Sequence, residues 1–123
     1  MLRLMELPIV SNIDRAIAAM KADPKRRWTV AALARTACLS RSAFARRFAL
    51  ALGKGPLSWL AEYRLALAQR RLLETDLPLA AIATEVGYAC EFAFAKAFKR
   101  RFGLAPGFYR RSVGLGAVFR AAA

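Results

Sequence analysis

The sequence predicts an all-α fold, and three observations carry that reading. Ala and Leu dominate a chain of 123 residues that is 58% apolar. The runs of Val, Ile and Thr that build strands are missing. Apolar side chains recur at helical spacing in one segment after another. A chain of this length is expected to close around one compact core.

Over 12–22, Ile13, Ile17 and Met20 stand at i, i+4 and i+7, and Asn12 is placed to cap a first helix that Asp23-Pro24 ends. After the basic turn Lys25-Arg26-Arg27, Thr29 is a cap for a short helix whose face is Val30, Leu33, Ala34 and Ala37. The pattern breaks at Cys38-Leu39. Ser40 caps the next helix, in which Phe44 and Phe48 lie one turn apart and Gly53 stands past the end. A longer helix is expected over 57–74, with Leu65, Ala68 and Leu72 on one face. A short one over 79–86 reaches Gly87, and another follows Cys90 to residue 102, with Phe94 and Phe98 one turn apart and Gly103 ending it. Pro106 opens a last short helix to Arg111, and 112–123 reads as a flexible tail.

The two halves of this list are the same unit. Ala31, Ala32, Leu33 and Ala34 recur 49 positions on as Ala80, Ala81, Ile82 and Ala83. Phe44, Ala45, Arg46, Phe48, Gly53 and Pro56 recur 50 positions on as Phe94, Ala95, Lys96, Phe98, Gly103 and Pro106. Agreement of aromatic, Gly and Pro positions in order exceeds what an Ala-rich composition produces by itself. Each unit is a short helix, a tight turn and a second helix, the arrangement that offers its second helix to a major groove.

Charge points the same way. Lys plus Arg number 21 against 8 Asp plus Glu, a net charge of +13, which calls for a polyanionic partner. The excess is local, because 41–54 holds four basic residues and 96–120 seven, with no acid in either stretch. No apolar run approaches the length of a membrane span, and the first ten residues, interrupted by Arg3 and Glu6, do not read as a signal peptide; a cytoplasmic, nucleoid-associated location is expected. There is no His, and the two cysteines, Cys38 and Cys90, form no CxxC pair, so neither a metal site nor a cofactor is expected. Without His, a nucleophile beside a base or a phosphate-cradling glycine loop, the chain is not read as an enzyme.

At about 100° per residue, turning Phe44 and Phe48 inward sends Ser42, Ala45, Arg46 and Ala49 outward. In the second unit Phe92, Ala95, Lys96 and Lys99 share the outward face, with Glu91 beside them. Arg46 suits a bidentate pair with guanine, Lys96 guanine or phosphate, Glu91 the N4 amine of cytosine, and Phe92 a thymine methyl. The flanking bases Arg41, Arg47, Lys99 and Arg100 are candidate phosphate contacts. Two readings compete for Phe92, an outward one on DNA and burial against a neighbouring helix.

These residues resemble the DNA-binding domain of the AraC/XylS family. In the first unit the likeness runs through Trp28-Thr29-Val30, Leu33-Ala34, the stretch 40–48, Gly53 and Pro56. In the second it runs through Arg64-Leu65, Ala68, Leu72-Leu73, Ile82-Ala83, Val86-Gly87-Tyr88, Phe94, 97–100, Phe102-Gly103, Pro106 and Tyr109-Arg110. It covers about 13–111. The resemblance implies seven helices, with helix-turn-helix units at about 29–52 and 79–102 joined by a linker helix at about 57–74. It implies a bacterial transcription regulator that binds double-stranded DNA as a monomer, with recognition helices in successive major-groove segments. Base contacts carry over onto Ser42, Ala45, Arg46, Glu91, Phe92, Ala95 and Lys96. The family tilts toward activation through contact with RNA polymerase, and it usually adds a sensing domain, so this sequence is either a single-domain regulator or the C-terminal piece of a longer one. Two positions depart from the pattern: Cys38 stands where Gly is frequent, and Cys90 where Ser commonly caps the second recognition helix. Both weaken local structure, sulfur being a poor hydrogen-bond partner.

The rival reading is a non-specific nucleic-acid packaging or RNA-binding protein, which the charge alone supports equally well. Against it, packaging needs little beyond Lys and Arg, whereas the two outward faces carry different chemistry.

Overall fold

The computed structural model describes the backbone of residues 8–122 and the side chains of residues 12–114. Among the described residues there are seven helices and no strand: α1 (Pro8–Ala22), α2 (Val30–Thr36), α3 (Arg41–Leu52), α4 (Pro56–Glu74), α5 (Leu79–Glu85), α6 (Glu91–Phe102) and α7 (Pro106–Ala122). The chain divides into two compact units, Met1–Glu62 and Tyr63–Ala123, with the boundary inside α4.

Among the described residues the apolar side chains gather into two cores, not the single one that chain length suggests. In the first unit Ile13, Ala16 and Met20 from α1 pack with Leu33, Phe44, Phe48 and Leu60. The second core joins Leu65, Ala68 and Leu72 to Ile82, Val86, Phe94 and Phe98. The repeat is the physical reason. Each helix-turn-helix pair presents its own apolar face, and a different stretch of α4 contributes to each core.

The repeat extends beyond the positions that match by identity. Trp59 stands edge-on to Phe48, ring centroids 6.2 Å apart at 78°. Fifty positions on, Tyr109 stands edge-on to Phe98, 5.4 Å apart at 73°. In both units the aromatic ring lies three residues after the proline that opens a helix, so the start of α7 repeats the start of α4.

Caps and turns follow the sequence closely. The hydroxyl of Thr29 accepts from the Ala32 amide at 3.0 Å and that of Ser40 from the Ala43 amide at 3.2 Å. Gly53 and Gly103 end α3 and α6 in the left-handed region, φ +80° and +82°, where a side chain is strained. Arg110 secures the far end of α4: its guanidinium donates to the carbonyls of Leu72, Thr75 and Leu77 at 3.0, 3.2 and 2.8 Å. The carbonyl of Leu72 in the last turn of α4, and those of Thr75 and Leu77 in the loop after it, are thereby satisfied by a charged donor.

Two boundaries differ from the sequence reading. Asn12 does not cap α1, which begins at Pro8, a residue whose fixed φ and missing N–H suit a first helical turn. Asn12 instead lies inside the helix, buried, and its Oδ1 accepts from Arg15 Nη2 at 2.6 Å. At the other end α7 does not stop at Arg111 but continues to Ala122, since 112–122 contains no proline to break it. Of the region expected to be a tail, side chains beyond Gly114 lie outside the described residues.

Candidate nucleic-acid interface

The second helix of each unit is held by the first. In α3, Phe44 and Phe48 are fully buried, their rings 5.7 Å apart. In α6, Phe94 and Phe98 are fully buried, 5.8 Å apart. With that face fixed, the rotation of the remaining side chains follows from helical geometry. From 41 to 54 and from 91 to 104 the succession of exposed, half-buried and buried positions is the same, residue for residue. Two stretches that share only part of their sequence therefore present the same surface to solvent.

On α3 the open stripe is Ser42, Ala45, Arg46 and Ala49, with Ala45 half-buried and the others exposed. A shallow hollow of about 520 Å³ opens at its N-terminal end, lined by Val30, Arg41, Ser42 and Ala45. On α6 the matching stripe is Phe92, Ala95, Lys96 and Lys99, with Ala95 half-buried and the rest exposed. Phe92 is 77% exposed, which rejects its burial against a neighbouring helix. Glu91 precedes it, exposed, in the first turn, where a negative charge also suits the helix dipole. Of the flanking bases, Arg41, Lys99 and Arg100 are exposed and Arg47 is half-buried. Lys99, Arg100 and Arg101 lie in the last turn of α6, where cations are stabilised by the same dipole.

Each predicted set is thus gathered on one helix, Ser42, Ala45 and Arg46 on α3 and Glu91, Phe92, Ala95 and Lys96 on α6. One exposed residue escaped the sequence reading. Leu50, 81% exposed, borders an open hollow of about 440 Å³ with Arg46, Arg47 and Ala51. Its position one turn after Arg46 was the signal for it.

Both turns that set α3 and α6 against their partners use a left-handed residue. In the second unit this is Gly87, φ +98°; in the first it is Cys38, φ +59°, the one non-glycine residue with positive φ among those described. Cys90 occupies the N-cap of α6, where its Sγ accepts from the Ala93 amide at 3.4 Å. Both thiols are free and exposed. Arg71 pairs with Glu85 at 2.6 Å and ties α4 to α5, the Glu85 hydrogen bond raising the arginine pKa further. Among the described residues no helix is long and apolar enough to cross a membrane.

The sequence profile of the helix-turn-helix domain matches residues 33–112, more than half of the chain. The crystal structure of the DNA-binding domain of AdpA, a global transcriptional factor in complex with a target DNA, superimposes with a TM-score of 0.76 at 31% identity, over 90% of this chain and 95% of that one. An AraC-like transcription regulator of Streptomyces lividans is 47% identical over 104 residues, 85% of this chain. The chain belongs to the AraC family. The RCS-specific transcriptional activator RclR of Escherichia coli is 39% identical over 110 residues, 89% of this chain. The chain spans about a third of the length of these two relatives, 33% and 39%. It corresponds to the DNA-binding domain of an AraC-type regulator, and the seven helices among its described residues have that domain's fold.

Proposed function

We propose that this AraC-type chain reads double-stranded DNA as a monomer, laying α3 and α6 into major-groove segments of one asymmetric site. Ser42, Ala45 and Arg46 contact bases in one half-site, and Glu91, Phe92, Ala95 and Lys96 in the other. Arg41, Arg47, Lys99 and Arg100 hold phosphates. The carrying observation is the identical burial pattern of 41–54 and 91–104, which exposes two stripes of different chemistry on equivalent helices. Different stripes read different bases, so the site is not a palindrome. The helix-turn-helix units at about 29–52 and 79–102 are the readers, and the regulator acts as an activator that contacts RNA polymerase. The activator name of RclR supports that direction.

The test is selection of bound duplexes from a random pool at physiological salt, with the mass of the complex measured in solution. An asymmetric motif bound by one copy is expected, favoured over bulk DNA by about 10³-fold or more. No enriched motif would mean a packaging protein, and a palindrome bound by two copies would remove the monomer.

A further inference from the structure

Resting on the reading of α6 as a base reader, we infer that Glu91 and Phe92 together recognise 5-methylcytosine, so that methylation of the target strengthens binding of the second unit. Phe92 is the most exposed aromatic ring described, 77% open to solvent on a helix whose inward phenylalanines, Phe94 and Phe98, are fully buried. Covering a ring of that size with an apolar group gains free energy that the exposed ring leaves available. The first unit, whose helix presents the same surface, has Ser42 at the corresponding position, so the fold itself does not require an aromatic there. Ala95 lies one turn along the same stripe and leaves room beside the ring.

In the major groove the apolar feature of a base pair is the C5 methyl of a pyrimidine. Thymine carries one, but its neighbouring O4 is an acceptor and repels a carboxylate. Glu91, adjacent to Phe92 in the first turn of α6, is exposed and forms no ion pair among the described residues. A carboxylate there needs a donor, and the exocyclic N4 amine of cytosine supplies one. The base that offers a C5 methyl beside an N4 donor is 5-methylcytosine. The N-terminal turn of a recognition helix is also the part that reaches base edges. Lys96, four residues after Phe92 on the same stripe, and Lys99 beyond it supply the cations that keep the acidic residue near a phosphate backbone.

The experiment uses the 123-residue chain. Its selected duplex is synthesised with cytosine or 5-methylcytosine at each C of the second half-site in turn, and binding is titrated. One position is expected where methylation tightens binding about threefold to fivefold, the value of burying one methyl group. Thymine at that position binds more weakly than 5-methylcytosine. In Phe92→Ser the methyl effect is lost, with the thermal melt checked to show that the variant folds. In Glu91→Gln the preference for 5-methylcytosine over thymine narrows. Equal binding of methylated and unmethylated duplexes at every position, or a methyl effect that persists in Phe92→Ser, overturns the inference while leaving DNA reading intact. Failure to select any motif overturns both.

Discussion

The Tyr109 ring stands edge-on to Phe98 at 5.4 Å while its hydroxyl accepts from Gln69 Nε2 at 2.8 Å, so one side chain joins α7, α6 and α4 within the second unit. Phe98 also lies 4.6 Å from Phe102 and 5.8 Å from Phe94. Such a cluster fixes the rotation of α6 about its axis, and with it the identity of the exposed stripe. Removing a fully buried ring leaves a cavity in addition to the lost transfer energy. Phe98→Ala, and Phe44→Ala in the first unit, are each expected to cost about 3–5 kcal/mol in urea unfolding. A variant that melts like the parent but no longer binds DNA would mean that the helix faces are reversed.

Cys38 holds a left-handed backbone at φ +59°, where the second unit has Gly87. For a residue with a Cβ this conformation costs about 1–2 kcal/mol, part of which glycine returns through its greater freedom in the unfolded chain. Cys38→Gly is therefore expected to stabilise by about 0.5–1 kcal/mol, whereas Cys38→Ala gives no gain. At the cap of α6, Cys90→Ser replaces a weak sulfur acceptor by an oxygen and is expected to add about 0.5 kcal/mol or more. Denaturant midpoints check all three. A stabilised Cys38→Ala or a destabilised Cys38→Gly contradicts the strain at this turn.

Much of this architecture was legible because helical periodicity is strict. Once Phe44 and Phe48 are assigned inward, Ser42 and Arg46 have no other place than outside, and the same holds for Phe94, Phe98 and Lys96. Caps were legible where side chain and backbone are close in sequence, as at Thr29 and Ser40. Asn12 misled because a capping residue type is also at home inside a helix when its oxygen finds another donor, here Arg15. The pairing of Trp59 with Phe48 and Tyr109 with Phe98 was hidden because the repeat matched identities, and indole and phenol are different residues of one class. Arg110 could not be read at all. Its partners are carbonyls 33 to 38 positions away, and a backbone acceptor leaves no mark in the sequence.

Tyr88 offers a test by pH. Burial raises its hydroxyl pKa above the ordinary 10.0, and nearby Arg64 offsets this only in part. The folded chain therefore keeps this proton after the unfolded chain has lost it. The resulting stabilisation is complete below about pH 10 and is lost as pH rises through the folded value. Other groups titrate in the same range, so the comparison is with Tyr88→Phe, which has no such proton. The difference in urea midpoint between parent and variant is expected to be constant from about pH 7 to 9 and to shift against the parent above about pH 10. A difference that stays flat to higher pH means that Tyr88 is as solvated in the fold as in the unfolded chain.

Readers and anchors are separable in the same way. Arg46 and Lys96 are exposed on equivalent helices, one turn after Ser42 and Phe92. Arg46→Ala and Lys96→Ala are each expected to leave the melt unchanged and to relax preference at one or two base pairs, at a cost of about 1–3 kcal/mol. The affected positions should differ between the two variants, since the residues belong to different units. Arg41→Ala or Arg100→Ala, at residues proposed to hold phosphates, should weaken every sequence alike and reduce the slope of affinity against salt by about one counterion. Arg71 is a control of another kind, because it lies on α4 and its guanidinium is held by Glu85. Its replacement is expected to lower stability slightly without changing either specificity or salt slope. Titrations at several salt concentrations against selected and scrambled duplexes measure all of these together. Should Arg46→Ala and Lys96→Ala lose affinity for both duplexes equally, with salt slopes that fall in step, the two stripes hold phosphates and the sequence reading must lie elsewhere on the chain.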